Sequence, residues 1–157
     1  IMNTYTFTSN SENETKQFAK KIASKLNIGD VIVLTGDLGS GKTKFTEGFL
    51  SYFGLENEIS SPTFNIVNEY VNDKIKIFHF DVYRLESIDE FYEIGGEEYF
   101  SNGICIVEWG EIIKEALPPE YIQISFDRNE IDINKRILNI KTFGNKFDNI
   151  FNFMEEN

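Results

Sequence analysis

The spacing of apolar and polar positions divides the chain into short, regular segments. Thr4-Tyr5-Thr6-Phe7-Thr8 alternates and is β-prone, predicting a first strand. Ser11 and Glu14 stand in capping-box positions, and Phe18, Ile22 and Leu26 then recur at helical spacing up to Asn27-Ile28-Gly29. Val31-Ile32-Val33-Leu34-Thr35 is short, apolar and β-branched, as a strand buried on both faces must be. A second helix follows, with Phe45, Phe49 and Tyr52 on one face. Residues 64–71 and 74–80 flank Asn72-Asp73, two turn-forming residues, and predict a β-hairpin. Residues 86–99 read as partly helical. Ile104-Cys105-Ile106-Val107 reads as a buried strand ending at Glu108 and Trp109. A short helix over 110–117 is stopped by Pro118-Pro119, and residues 121–126 and 136–142 alternate as strands. After Gly144, the spacing of Phe147, Ile150, Phe151 and Met154 predicts an amphipathic terminal helix. Strands alternating with helices predict an α/β fold. The hairpin adds an antiparallel part, so the central sheet is expected to be mixed and mainly parallel. No repeat or linker interrupts the pattern, and residues 1–157 are expected to form a single domain.

Between the buried strand and the second helix lies Gly36-Asp37-Leu38-Gly39-Ser40-Gly41-Lys42-Thr43, which fits G-x-x-x-x-G-K-[ST]. Strand, glycine-rich loop and helix are the context that the phosphate-binding P-loop needs. Glycines let such a loop adopt positive φ and approach phosphate closely. Its N–H groups and the helix N-terminus form an anion nest. Lys42 is placed to reach the β- and γ-phosphates, and Thr43 to offer its hydroxyl to Mg²⁺. Residues 36–43, with Lys44 after them, are the predicted nucleotide cradle of a P-loop NTPase-like three-layer α/β fold.

Composition narrows the classes. The formal net charge is -11, which disfavours direct, independent nucleic-acid binding. One cysteine, Cys105, rules out a disulfide framework and a cysteine zinc site. One histidine, His79, argues against a Ser-His triad or a two-histidine metal site. No apolar run approaches membrane-spanning length, and the N-terminal region lacks the features of a secretion signal, which predicts a cytoplasmic protein. The lysines at 16, 20, 21 and 25 form the one basic element, and residues 86–98 are strongly acidic; both read first as solvated faces.

A nucleotide hydrolase also needs a carboxylate near Mg²⁺ and a group that orients water. In open α/β sheets these sit at strand C-termini. Asp81 and Glu108 are placed that way, and either could take either role. Thr63, in the Ser-Pro-Thr-Phe loop, is a candidate sensor of γ-phosphate or Mg²⁺. Asn145-Lys146-Phe147-Asp148 matches N-K-x-D, the guanine-selecting signature of GTPases. No D-x-x-G follows a second strand, and Phe147 fits the terminal apolar stripe, so the match reads as coincidence.

Four blocks in order, GDLGSGKT at 36–43, SPTF at 61–64, HFDVYR at 79–84 and VEWGE at 107–111, resemble the TsaE (YjeE) family. The resemblance implies a small P-loop ATPase of bacterial tRNA threonylcarbamoyladenosine synthesis at position 37. It implies action with TsaD and TsaB, contact with tRNA only through those partners, and ATP hydrolysis that resets their complex. Carried onto this chain, Lys42 would hold the phosphates of ATP or ADP. Thr43 and Glu108 would serve Mg²⁺, Asp81 would position or activate water, and Thr63 would be the switch-like threonine. Trp109 and residues 81–84 would lie near the nucleotide and the partner face, and Glu111 would also line the site. Adenine contacts are expected around Asn10-Ser11 and Lys135-Arg136. Two other readings are a small-molecule kinase and a nucleotide-gated switch with negligible turnover. The kinase usually adds an arginine-rich lid, whereas Arg84, Arg128 and Arg136 are scattered along this chain, with Arg84 a candidate arginine finger.

Overall fold

The computed structural model of the protein describes residues 2–37, 39–58 and 66–155. Seven strands form one sheet: β1 (Met2–Ser9), β2 (Val31–Thr35), β3 (Val67–Val71), β4 (Lys76–Asp81), β5 (Ile104–Glu108), β6 (Ile122–Arg128) and β7 (Arg136–Phe143). Their order is β1-β7-β6-β2-β5-β4-β3. The centre, β6-β2-β5-β4, is parallel, while β3 pairs antiparallel with β4, β7 with β6, and β1 with β7. The mixed α/β expectation holds, with antiparallel strands on both flanks and not only at the hairpin.

Helices α1 (Glu12–Ala23) and α2 (Lys42–Tyr52) cover one face, where Phe18, Ile22, Phe45 and Phe49 meet Ile32, Leu34 and Ile106. The short helices α3 (Ile88–Glu93) and α4 (Gly96–Tyr99) lie over the other face with a 3₁₀ segment, Gly110–Ala116. There Phe91 and Ile113 pack on Val31, Val33, Cys105 and Val107. All five residues of β2 are buried, because both faces of this central strand are covered.

Local signals explain most boundaries. Ser11 caps α1 by accepting a hydrogen bond from Glu14 N, while the Glu14 carboxylate accepts one from Asn10 N. The 67–81 hairpin forms, but its turn residues are Asp73 and Lys74. Asn72 pairs with Ile75, and its side chain accepts from Lys74 N and Ile75 N, closing the turn from inside. Tyr52 does not join the inner face of α2. It is 47% exposed, because Phe53 at the helix end packs on Phe49 in its place.

The terminal segment also departs from expectation. Phe147 and Phe151 are buried and Ile150 and Met154 half-buried, as the spacing requires. The backbone is nevertheless a series of turns followed by a 3₁₀ segment, Asn152–Glu155, and not an α-helix. Asn145, Asp148, Asn149 and Asn152 carry side chains that compete for local backbone hydrogen bonds and favour turns.

Candidate functional site

Strand β2 delivers the chain to the C-terminal end of the parallel centre, and the loop after it turns back into α2. Three of its glycines have positive φ: Gly36 at 150°, Gly39 at 78° and Gly41 at 115°. A side chain at 39 or 41 would strain the backbone, so glycine is required there. Gly41 is the N-cap of α2, with no side-chain cap and no acidic residue in the first turn. Among the described residues no side chain caps the first N–H groups of α2, which point back along the helix axis toward the loop. Ser40 is buried, and its Oγ has no hydrogen-bond partner among the described residues.

Adjacent strand ends bring the acids beside this loop. Asp81 ends β4 and Glu108 ends β5, and the two are register partners. Leu34 of β2 is the register partner of Glu108 on its other side. One cleft of about 630 Å³ is lined by Asp37, Gly39, Gly41, Lys42, Thr43 and Lys44 from the loop and α2, and by Asp81 and Glu108 from the strands. Tyr83 and Trp109 close one side; Ser11, Glu12 and Thr15 of the α1 start, with Ile133, Asn134 and Arg136, close another.

Lys42 is buried at the centre. Its Nζ donates to Gly36 O at 2.6 Å, lies 3.7 Å from Glu108 Oε1, and sits 4.4 Å from the centroid of the Trp109 ring. The other Glu108 oxygen is 2.7 Å from His79 Nε2. Burial pushes the Glu108 carboxyl up, but the hydrogen bond and charge of His79 and the Lys42 ammonium outweigh it. The net position is below the ordinary carboxylate value. Asp81 instead accepts from Tyr83 N at 3.1 Å. Among the described residues, no three His, Cys, Asp or Glu side chains are grouped so as to hold a metal ion on their own.

The other expected residues fall unevenly. Thr63 and Leu38 lie outside the described residues. Glu111 is exposed in the 110–116 segment and is not among the residues lining this cleft, nor is Arg84. Of the expected adenine-contact positions, Ser11 and Arg136 line the cleft, whereas Asn10 and Lys135 do not. Arg128 and Arg136, far apart in sequence terms from the loop, are register partners across β6 and β7. They converge on Gly39: Arg136 Nη2 donates to Gly39 O at 3.2 Å, and a Cβ at Gly39 would meet Arg128 Nη2 at 2.6 Å. Two of the three arginines are therefore together and not scattered. His79, in contact with Glu108, is not among the site residues expected from the sequence. The signal available was its place two residues before Asp81 on the same strand face.

Asn145-Lys146-Phe147-Asp148 follows β7 at the opposite end of the sheet from the 36–43 loop. Lys146 Nζ pairs with buried Asp30, just ahead of β2, at 2.6 Å, and Asp148 accepts from Asn3.

Residues 9–137 match the family model described as threonylcarbamoyl adenosine biosynthesis protein TsaE. The chain is 42% identical over 142 residues to a Rickettsia typhi protein named tRNA threonylcarbamoyladenosine biosynthesis protein TsaE, covering 90% of this chain and 97% of that one. A Bacillus subtilis protein of the same name is 43% identical over 136 residues, 86% of this chain and 84% of that one. The crystal structure of Bacillus subtilis YdiB superposes with a TM-score of 0.77 at 33% identity, covering 99% of this chain and 97% of that chain. The chain belongs to the TsaE family of tRNA threonylcarbamoyladenosine biosynthesis proteins.

Proposed function

We propose that this protein binds Mg²⁺·ATP in the cleft at the 36–43 loop and hydrolyses it slowly. We place that turnover in the service of a TsaD–TsaB complex that modifies tRNA. The observation that carries this reading is the convergence of Lys42, Thr43, Asp81 and Glu108 on one cleft at the N-terminus of α2.

The residues suit the group. The start of α2 and the Ser40 hydroxyl, which have no side-chain cap and no partner among the described residues, offer donors to an anion. The oxygen donors of Thr43, Asp81 and Glu108 suit Mg²⁺, which usually takes one or two carboxylates and completes its shell with phosphate oxygens and water. That is why the protein side chains need not form a complete metal cage. Bound Mg²⁺ would neutralise charge on the phosphate oxygens.

In this reading the loop N–H groups orient the phosphates, and Lys42 exchanges Gly36 O for a phosphate oxygen. Thr43 and Glu108 would supply oxygens to the metal. Asp81 accepts a hydrogen bond from the attacking water. Thr63 is assigned the sensing of the γ-phosphate. The net charge of -11 supports action on tRNA through partners and not by direct grip. Arg128 and Arg136 beside Gly39 favour one second reading, transfer of phosphate to a small acceptor. Phosphate recovered on an acceptor and not in water distinguishes it.

Lys42→Ala is expected to lower ATP turnover by about 10²- to 10³-fold, the usual effect of removing one charge-stabilising donor. Asp81→Asn and Glu108→Gln are expected to part company. Glu108→Gln loses Mg²⁺ dependence, while Asp81→Asn keeps Mg²⁺·ATP binding and loses turnover. Wild-type turnover in Lys42→Ala would refute the reading.

A further inference from the structure

The roles assigned so far leave His79, the sole histidine of the chain, without a part. It sits on β4 two residues before Asp81, so both side chains point to the same face of the sheet. Its register partner on β5 is Ile106, two residues before Glu108. The His79 side chain is only 10% exposed. A carboxylate accepts and does not donate, so His79 Nε2 donates to Glu108 Oε2 across 2.7 Å.

That bond ties down one oxygen of Glu108 and leaves Oε1 toward Lys42. Lys42 is shared among Gly36 O, Glu108 and the Trp109 ring. Movement of Lys42 to phosphate withdraws one of the two cation-capable partners of Glu108. His79 remains. A largely buried carboxylate without a partner is costly, and a rotating one is a poor metal ligand.

We propose that His79 is the positioning residue of the metal site, holding Glu108 Oε2 so that Oε1 is presented to Mg²⁺ once Lys42 turns to the phosphates. The inference rests on the assignment of Glu108 to Mg²⁺. His79 itself touches neither metal nor nucleotide in this scheme, because its Nε2 is committed to Glu108.

Mn²⁺ provides a spectroscopic probe in place of Mg²⁺. Its affinity for the protein bound to a non-hydrolysable ATP analogue is read by electron paramagnetic resonance. Analogue affinity in EDTA is read by calorimetry. His79→Ala is expected to weaken Mn²⁺ binding by about 10-fold or more, the usual loss when an outer-shell partner is removed, with metal-free analogue affinity unchanged. His79→Gln keeps an N–H donor and is expected to recover much of the loss. Unchanged Mn²⁺ affinity in folded His79→Ala overturns the inference. So does a parallel loss of metal-free analogue affinity, which would make His79 a structural residue. Weakened Mn²⁺ binding in Glu108→Gln beside a normal His79→Ala rejects the role of His79 alone. Normal Mn²⁺ binding in Glu108→Gln rejects the assignment of Glu108 and the inference with it.

The wild-type protein gives a check that does not depend on a variant folding. Its single imidazole yields one set of ring ¹H–¹⁵N signals. A slowly exchanging Nε2 proton is expected both before and after addition of Mg²⁺ and the analogue. Its loss on addition would overturn the inference.

Discussion

Trp109 concentrates the demands of the site at one residue. It is the only non-glycine residue with positive φ among those described, at 62°. It directly follows Glu108, its ring covers the Lys42 ammonium, and Tyr83 lies against it with centroids 5.6 Å apart. A left-handed conformation at a side-chain-bearing residue costs about 1–2 kcal/mol. The backbone accepts this strain where it turns the ring back over the cleft. Trp109→Gly and Trp109→Ala both remove the ring, but only glycine removes the strain. In urea unfolding, Trp109→Gly is expected to be more stable than Trp109→Ala by about 1 kcal/mol. Equal stabilities would mean the backbone relaxes freely. The loop motif pointed to Lys42, the strand end to Glu108 and the family resemblance to Trp109, and the three do stand together at one cleft. The His79–Glu108 bond and the twist at Trp109 depend on strand register and on φ, which no local pattern displays.

Among the elements, the packing of α1 on α2 fixes where the start of α2 lies. Gly48 of α2 meets the α1 backbone so closely that a Cβ would fall 2.3 Å from Lys16 O. Alanine would favour the helix itself by about 1 kcal/mol. Forcing the helices apart costs typically about 1–3 kcal/mol. Backbone cannot step aside as a flexible side chain does, so the packing cost wins. Gly48→Ala is expected to be destabilised in urea unfolding and to bind nucleotide more weakly, since α2 carries Lys42 and Thr43. A more stable Gly48→Ala would show that the helices separate without strain. The helices and β2 were legible because capping residues, apolar spacing and the glycine loop all pointed the same way. The terminal segment was legible only as an apolar stripe. Its asparagines, which decide the backbone, were outweighed by the spacing of Phe147 and Phe151. The hairpin was legible, but its turn shifted by one residue because Asn72 uses its side chain to close the turn.

Across the whole molecule, the cleft and the N-K-x-D segment lie at opposite ends of the sheet. The 36–43 loop, Asp81 and Glu108 share one end. Asn145 to Asp148 occupy the other, where Lys146 pairs with Asp30. Asp148→Ala is therefore expected to leave ATP and GTP affinities unchanged in calorimetric titrations. A selective change in GTP affinity would contradict this placement. The pairing of β1 with β7 joins segments more than a hundred residues apart, and Arg128 and Arg136 converge on Gly39 from a hairpin at the far end of the chain. Such long-range juxtapositions were not legible, because alternation identifies a strand but not its neighbour.

The central claim is that this cleft hydrolyses ATP on behalf of partner proteins. Phosphate release from ATP and from GTP, with and without purified TsaD–TsaB, tests it most directly. The account predicts slow release from ATP alone, a rise when the partners are added, and little release from GTP. Release that favours GTP, or that ignores the partners, would contradict it.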